Sequence, residues 1–320
     1  MSSTLKKSTL FPTDTEYFAD EEFISSSSLA TFATFDVYGY PTYNFVEFLN
    51  PSKPKGKELQ IGKLVDIVLT EKKPLAQIAS RKMSATELEE ECDMREIDIA
   101  ERRKSEGIKG KATMAHMKRW LEQAGMSFAN EVTDEIYQKA EMIIETAKKM
   151  QYDFHTTVMQ YFDECESQFA IADEALGIKG KFDFFNRKRC RISDLKTCGN
   201  LDRLRKELIF RNEINVCHKY CRQLAIYQRL AYYQTGEWLQ CELIIIDHAG
   251  HQMILRIGQT ALDLAWEQIE KDLEVLLKYA SKEITDYAIC LDATRHEPGT
   301  VVQNALEVAT EEEESEEQLV

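Results

Sequence analysis

The chain has little of the two residues that most often break regular structure, with 13 glycines and 6 prolines in 320 residues. That scarcity excludes collagen-like, linker-dominated and mostly disordered readings. No apolar run approaches the length of a membrane span, and Lys6 and Lys7 are not followed by a signal-peptide core. A cytoplasmic protein is therefore expected. The 8 cysteines contain no Cys-x-x-Cys pair and lie scattered, which favours reduced thiols over a disulfide scaffold. Cys217, His218 and Cys221 come nearest to a metal cluster, with 217 and 221 on one helical face. A closed zinc site needs more ligands, so buried helical thiols are the expected reading, and no fourfold spacing supports an iron–sulfur cluster. A G-x-x-x-x-G-K-[ST] loop is also missing, which argues against a built-in ATP-driven helicase. No internal repeat is visible.

What is present is an ordinary folding composition, 43% hydrophobic and 30% charged, in a chain long enough for a substantial core. The formal charge of -15 argues against indiscriminate binding to a polyanion. Its distribution is uneven. The last twenty residues carry seven Glu (307, 311–314, 316 and 317) and no basic residue, and residues 87–98 are also acidic. Residues 102–119 hold seven basic residues against one Glu, so nucleic acid can still meet a local basic surface.

Residues 1–22 are polar and expected to be flexible. Ser25 to Ser28 can cap a helix near Leu29. Gly62 to Thr70 is too short and apolar for periodicity to choose between helix and strand. Helices are expected over 85–105, 112–124 and 133–163, the last marked by Ile136, Ala140, Ile143, Ile144, Ala147 and Met150 at three- and four-residue steps. Strand character follows at 168–172, 179–186, 190–197, 239–247 and 252–257, with turns that make three hairpins. Helices at 201–212 and 217–234 fall between the third and fourth strands, and a last helix covers 260–280. The order predicts a mixed α/β (α+β) domain over 23–290, its sheet covered by helices. Residues 85–163 read as a helical elaboration, 164–280 as the catalytic core and 300–320 as a disordered acidic tail.

The strongest chemical signal lies in residues 177–197. Asp183 lies in one strand, Asp194 in the next, and the two-residue strand period puts Lys196 on the face of Asp194 with Leu195 opposite. The hairpin brings Asp183 alongside. Two carboxylates and an ammonium at a sheet end suit phosphodiester hydrolysis. Hard Mg²⁺ or Mn²⁺ prefers oxygen ligands, here Asp183, Asp194 and the Leu195 carbonyl, and polarises the phosphoryl oxygen while activating water. Lys196 would orient that water and stabilise charge on the phosphate. A lone D-x-K is also a common exposed-strand pair, and spacing alone leaves the choice near even.

This stretch resembles the core motif of the PD-(D/E)XK nuclease superfamily, with the closest likeness to phage RecE-type exonucleases and RecB-like nucleases. Asp183 takes the place of the Asp ending the second strand, and Asp194 and Lys196 those of the acidic residue and Lys on the third. Phe182 stands where a Pro often precedes the first Asp. Gln223-Leu-Ala-Ile-Tyr227 resembles the family's Gln-x-x-x-Tyr motif, four residues apart on one helical face. The resemblance gives the pair phosphate-orienting roles, and its alternative is a packing pair against the sheet. Gly62-Lys-Leu-Val-Asp66 is similar to a Gly-x-x-x-His motif, with Asp66 either a further oxygen ligand or a local backbone cap. Glu174 either approaches the metal or is a hairpin-turn carboxylate, the second being favoured. Phe23–Leu29 resembles an N-terminal Ser-containing motif.

The resemblance implies a Mg²⁺-dependent exodeoxyribonuclease acting on double-stranded DNA ends, 5′ to 3′, in phage-type recombination. It further implies a ring-like homo-oligomer, a single-strand annealing partner and the cytoplasm of a bacterial or phage-infected cell, with no membrane and no ATP. DNA contacts are expected from Lys179, Lys181, Arg187, Lys188, Arg189 and Arg191, with Tyr220 and Arg222 as weaker candidates; such cations position phosphates without reading bases. The alternatives are a PD-(D/E)XK endonuclease and a non-catalytic DNA-binding or scaffold module.

Overall fold

Where apolar residues alternate or run together between turn signals the chain builds strands, and where they recur at three and four residues it builds helices. The structure is a computed structural model that describes residues 8–11, 13–20, 23–35, 41–43, 56–126, 128, 130–174 and 176–280. The strands, in chain order, are β1 (Ser8–Phe11), β2 (Ile24–Ser25), β3 (Ala33–Phe35), β4 (Pro41–Tyr43), β5 (Glu166–Asp173), β6 (Ile178–Asn186), β7 (Arg191–Cys198), β8 (Ile209–Phe210), β9 (Glu213–Ile214), β10 (Gln240–Asp247) and β11 (Gln252–Ile257). The helices are α1 (Asp14–Ala19), α2 (Ser26–Phe32), α3 (Lys57–Glu71), α4 (Leu75–Ile78), α5 (Ala85–Met94), α6 (Ile99–Ser105), α7 (Met114–Gln123), α8 (Asp134–Lys149), α9 (Val158–Asp163), α10 (Leu201–Leu208), α11 (Lys219–Thr235) and α12 (Gln259–Ala280).

The central sheet runs β1-β5-β6-β7-β10-β11, with β2 also against β6. The three expected hairpins pair antiparallel, whereas β7–β10 and β2–β6 run parallel. A mixed sheet of this kind is buried on both faces, which explains the unbroken apolar run of β10. Leu243 and Ile245 enter one layer with α2, α11 and α12. Ile244 and Ile246 enter the other, with Ile61, Leu64, Val65 and Leu69 of α3, Ile143 and Ile144 of α8, and Tyr161 and Phe162 of α9.

Several expectations are corrected. The stretch through residue 22 is not loose as a whole: Ser8–Phe11 pairs with Ala170–Asp173 as an edge strand, covering backbone groups that β5 would otherwise leave unpaired. Gly62–Thr70 is helical, because its apolar side chains fall on the buried stripe of α3. The helix expected over 133–163 breaks at Met150, whose backbone turns extended, and restarts from a Thr157–Gln160 capping box. The one expected over 201–212 stops at Leu208, because Arg211 and Asn212 take positive φ of 51° and 66° and turn the chain into the β8–β9 ribbon. The helical elaboration is also smaller than 85–163. Only α5, α6 and α7 form a separate cluster, around Leu88, Cys92, Met117, Trp120 and Leu121, while α8 and α9 pack on the sheet. The acidic tail and Cys290 lie outside the described residues.

Candidate active site

The β6–β7 ladder holds for only three pairs, ending at Phe184↔Ser193. One step further the register sets Asp183 opposite Asp194, and there the strands part. Instead of a ladder bond, the backbone N–H of Leu195 donates to Asp183 Oδ2 at 2.8 Å. In a strand the N–H and C=O of one residue point the same way within the sheet. The Leu195 carbonyl therefore also faces this gap.

Asp194 is 1% exposed. Lys196, two residues on, places its Nζ 2.5 Å from Asp194 Oδ2, while Leu195 packs into the opposite layer. Asp194 Oδ2 is thus paired with the Lys196 ammonium, while Asp194 Oδ1 is buried without a hydrogen-bond partner. Burial and the neighbouring Asp194 push the pKa of Asp183 well above the ordinary carboxylate range; Asp66 adds to this, and Lys196 and the Leu195 N–H oppose it. Burial works against the charge of Lys196, but Asp194 and Asp183 outweigh it and hold its pKa above the ordinary value. Lys196 is thus an ammonium, suited to stabilising anionic charge rather than to taking a proton.

Helices from both layers complete the surroundings. A β-carbon on Gly62 would lie 2.9 Å from Thr197 Oγ1, so this glycine lets α3 approach β7 closely. One turn later, Asp66 accepts a hydrogen bond from Gln168 Nε2 at 3.2 Å and lies near enough to Asp183 to raise its pKa. From the other layer, Gly180 of β6 lets α11 approach, since a β-carbon there would meet Leu230 at 2.8 Å and the Tyr227 ring at 3.0 Å. Gln223 donates to the Tyr227 hydroxyl at 2.6 Å, as the four-residue spacing requires. Burial, then the charges of Asp194 and Asp183, push the Tyr227 pKa well up, so its hydroxyl keeps a proton to donate. Tyr220 lies over Lys196, with Nζ 5.1 Å from its ring centroid.

The expected DNA contacts fare differently. Lys179 is 5% exposed, and its ammonium is bonded to the carbonyls of Tyr17 (2.8 Å) and Asp20 (2.5 Å), which removes it from that role. Arg222 is buried too, donating to the Ala33 carbonyl and paired with Asp272. Arg187 pairs with Glu166, and Arg189 with Asp153 and Glu164. Arg191 donates to the Tyr152 hydroxyl and lies 3.6 Å from Glu242. These cations hold the hairpin to the rest of the fold. Lys181 lies over the Phe18 ring, and Lys188 stays exposed at the turn. Glu174 is exposed in the β5–β6 turn, five residues along β6 from Asp183 or about 16 Å at strand rise, which removes it from the ligand set.

Among the described residues, no three His, Cys, Asp or Glu side chains come together as a metal site. Asp183 and Asp194 nevertheless fit a hard divalent cation, because two carboxylates face each other where the strands part and the buried Asp194 keeps one oxygen, Oδ1, without a partner. The remaining ligands must then be neutral oxygens or the more distant Asp66. The charges of the motif were legible in the sequence. Gln168 was missed: it carries no charge and no motif, and only its position across the sheet from Asp183 marks it.

Other proteins share this architecture. A crystal structure of a "putative exonuclease" from Eubacterium rectale superposes with a TM-score of 0.53 over 86% of this chain and 89% of that one, at 19% identity, a likeness of fold. No curated protein matches the chain. Residues 110–290, which include the Asp183, Asp194 and Lys196 strands and α11, match the family described as a PDDEXK-like domain of unknown function (DUF3799). With more than half its length matched and the paired acids and lysine in the order its name requires, the chain belongs to that PDDEXK-like family.

Proposed function

We propose that the protein is a divalent-metal-dependent deoxyribonuclease, and within that class a 5′-to-3′ exonuclease on double-stranded DNA ends. The observation that carries the chemistry is the apposed Asp183–Asp194 pair beside a charged Lys196, with Asp194 buried, its Oδ2 on the lysine and its Oδ1 without a partner. Asp183, Asp194 and the Leu195 carbonyl would hold Mg²⁺ or Mn²⁺. When bound there, the ion would supply Lewis-acid polarisation of the scissile phosphate and promote ionisation of the attacking water. Lys196 stabilises the charge accumulating on the phosphate. Tyr227, fixed by Gln223, donates a hydrogen bond to a phosphate oxygen, and Tyr220 holds the Lys196 ammonium in place. The exonuclease reading, its polarity, a ring-like oligomer and an annealing partner rest on the resemblance to RecE-type enzymes.

The DNA backbone would be met by the α6–α7 segment more than by the catalytic hairpin. Arg103, Lys104, Lys109 and Lys111 enter no ion pair among the described residues, and the three lysines are exposed. Phosphate contacts need cations of this kind, free to exchange solvent counterions for DNA.

The test is a Mg²⁺ assay on linear duplex labelled at one 5′ end, run beside covalently closed plasmid, with Asp194→Asn as control. Cleavage of the linear substrate alone, lost in the variant, supports the exonuclease; the timing of label release gives polarity. Cutting of closed plasmid would make it an endonuclease. Binding without cleavage of either substrate, in Mg²⁺ and Mn²⁺, would leave a DNA-binding module.

A further inference from the structure

Of the seven non-glycine residues with positive φ among the described residues, six lie in turns or at helix ends; Gln168, at φ 55°, is inside a strand. Glutamine gains nothing from this conformation. Its side chain is too long for the local backbone bonds that make it tolerable for asparagine or aspartate. The place is equally telling. Ser167 pairs with Phe184 and Phe169 with Phe182, so Gln168 stands opposite Asp183 without joining the ladder. Gln168, Asp183 and Asp194 thus form one row across three neighbouring strands. The alternation of β6 slips at the same row: Phe182 and Phe185, three residues apart, enter one layer, and Phe184 enters the other.

The side chain is anchored at one end only. Gln168 Nε2 donates to Asp66 Oδ1 at 3.2 Å, while Gln168 Oε1 is buried without a hydrogen-bond partner. A carboxylate accepts, so the amide nitrogen must face Asp66 and the carbonyl oxygen turns away from it. A strained backbone and an unsatisfied oxygen at one residue are two costs that the fold itself does not recover.

We infer that Gln168 is part of the metal centre, orienting Asp66 through its amide N–H and offering Oε1 as a neutral oxygen ligand beside Asp183 and Asp194. This rests on the metal-dependent reading above. It also accounts for a site in which, among the described residues, no three acidic, His or Cys side chains come together: a neutral amide adds an oxygen donor without adding a further negative charge beside Asp183 and Asp194.

The experiment is a calorimetric titration of the metal-free protein with Mn²⁺, with thermal melting of each metal-free variant. Gln168→Leu removes both ends of the amide, and its Mn²⁺ affinity should fall by about 10- to 100-fold, the usual loss for a group that orients or supplements metal ligands. Gln168→Gly should lose affinity equally while melting no lower than wild type, since glycine adopts φ 55° without strain. That opposition of signs is what a merely structural residue would not give. Mn²⁺ affinity within twofold of wild type in Gln168→Gly, or a lower melting temperature with affinity retained, would overturn the inference. If wild type binds no Mn²⁺, or binds it no better than Asp194→Asn, the metal reading itself fails and takes this inference with it. Weaker Mn²⁺ binding in both Gln168 variants, beside the loss expected of Asp194→Asn, supports it.

Discussion

Two buried carboxylates sit side by side in the sheet and are treated in opposite ways. Glu242 of β10 faces Ser193 of β7 in register, and Asp194 is the next residue of β7. Each is 1% exposed. Glu242 Oε1 accepts hydrogen bonds from the Tyr152 hydroxyl and the Ser193 hydroxyl, both at 2.6 Å, and Oε2 lies 3.4 Å from Arg256 and 3.6 Å from Arg191. Asp194 has the Lys196 ammonium on Oδ2 and no partner on Oδ1. Burying a carboxylate costs several kcal/mol before its partners repay it. Glu242 recovers that cost within the fold and ties Tyr152 to the sheet directly and Tyr161 through Ser193. Asp194 recovers less, through Lys196 alone, and under the proposed function a bound metal ion would supply the rest.

The contrast breaks most sharply at Asp194. Asp194→Asn should lower Mg²⁺-dependent cleavage by at least about 10³-fold, the scale of losing a principal electrostatic element of a hydrolytic site. Metal-free stability should hold or rise, because a buried charge is removed. Retained cleavage would end the assignment. Glu242→Ala should do the reverse: it takes the carboxylate from Arg191 and the shared acceptor from the Tyr152 and Ser193 hydroxyls, and should cost about 3–5 kcal/mol in urea unfolding, with Mn²⁺ affinity of the folded protein unchanged. A loss below about 1 kcal/mol, the scale of an exposed pair, would show that the network does not hold the layer together.

Smaller effects sharpen the picture around the site. His218 caps α11, its Nδ1 accepting from the Tyr220 N–H at 3.2 Å, and burial followed by Lys219 pushes its pKa down to about 4 from 6.5. Between pH 6.5 and about 4 the unfolded chain binds a proton there that the folded chain refuses. Stability should therefore be full above that window and fall on acidification through it, by up to about 3 kcal/mol. His218→Asn keeps a capping acceptor and should flatten this part of the stability–pH curve; an unchanged slope would assign it elsewhere. Gly180→Val should cost about 1–3 kcal/mol by overpacking, and should slow cleavage further because the contact is with the Tyr227 ring. Neutralising Lys104, Lys109 and Lys111 together should lower the slope of log K against log[salt] for duplex binding by about 2–3, at close to one counterion per phosphate contact. Fluorescence anisotropy across a salt series measures it, and an unchanged slope would return DNA contact to the catalytic hairpin.

The Asp183–Asp194–Lys196 cluster was legible because it is local. A hairpin turn and a two-residue period are enough to bring those side chains together, and both can be read from a score of residues. The Gln223–Tyr227 pair was legible for the same reason, with helical spacing in place of strand spacing. The roles of the basic residues were not. Lys179 and Arg222 carry charge, and a charge reads as exposed until something distant covers it. The Tyr17 and Asp20 carbonyls cover the first, and Ala33 and Asp272 the second. The arginines of the catalytic hairpin look like a phosphate-binding set in the chain, yet acids from Asp153 to Glu242 occupy them.

Sequence alone determined the strands of the three hairpins, the turns between them and the order of the acid, acid and lysine, because each depends on neighbours within a turn or a strand. Tertiary structure alone decided which buried charges are satisfied and which are left open, because desolvation and pairing are set by segments far apart in the chain. It also decided the backbone of Gln168, whose left-handed φ is imposed where three strands and α3 meet and cannot be read from a neutral side chain.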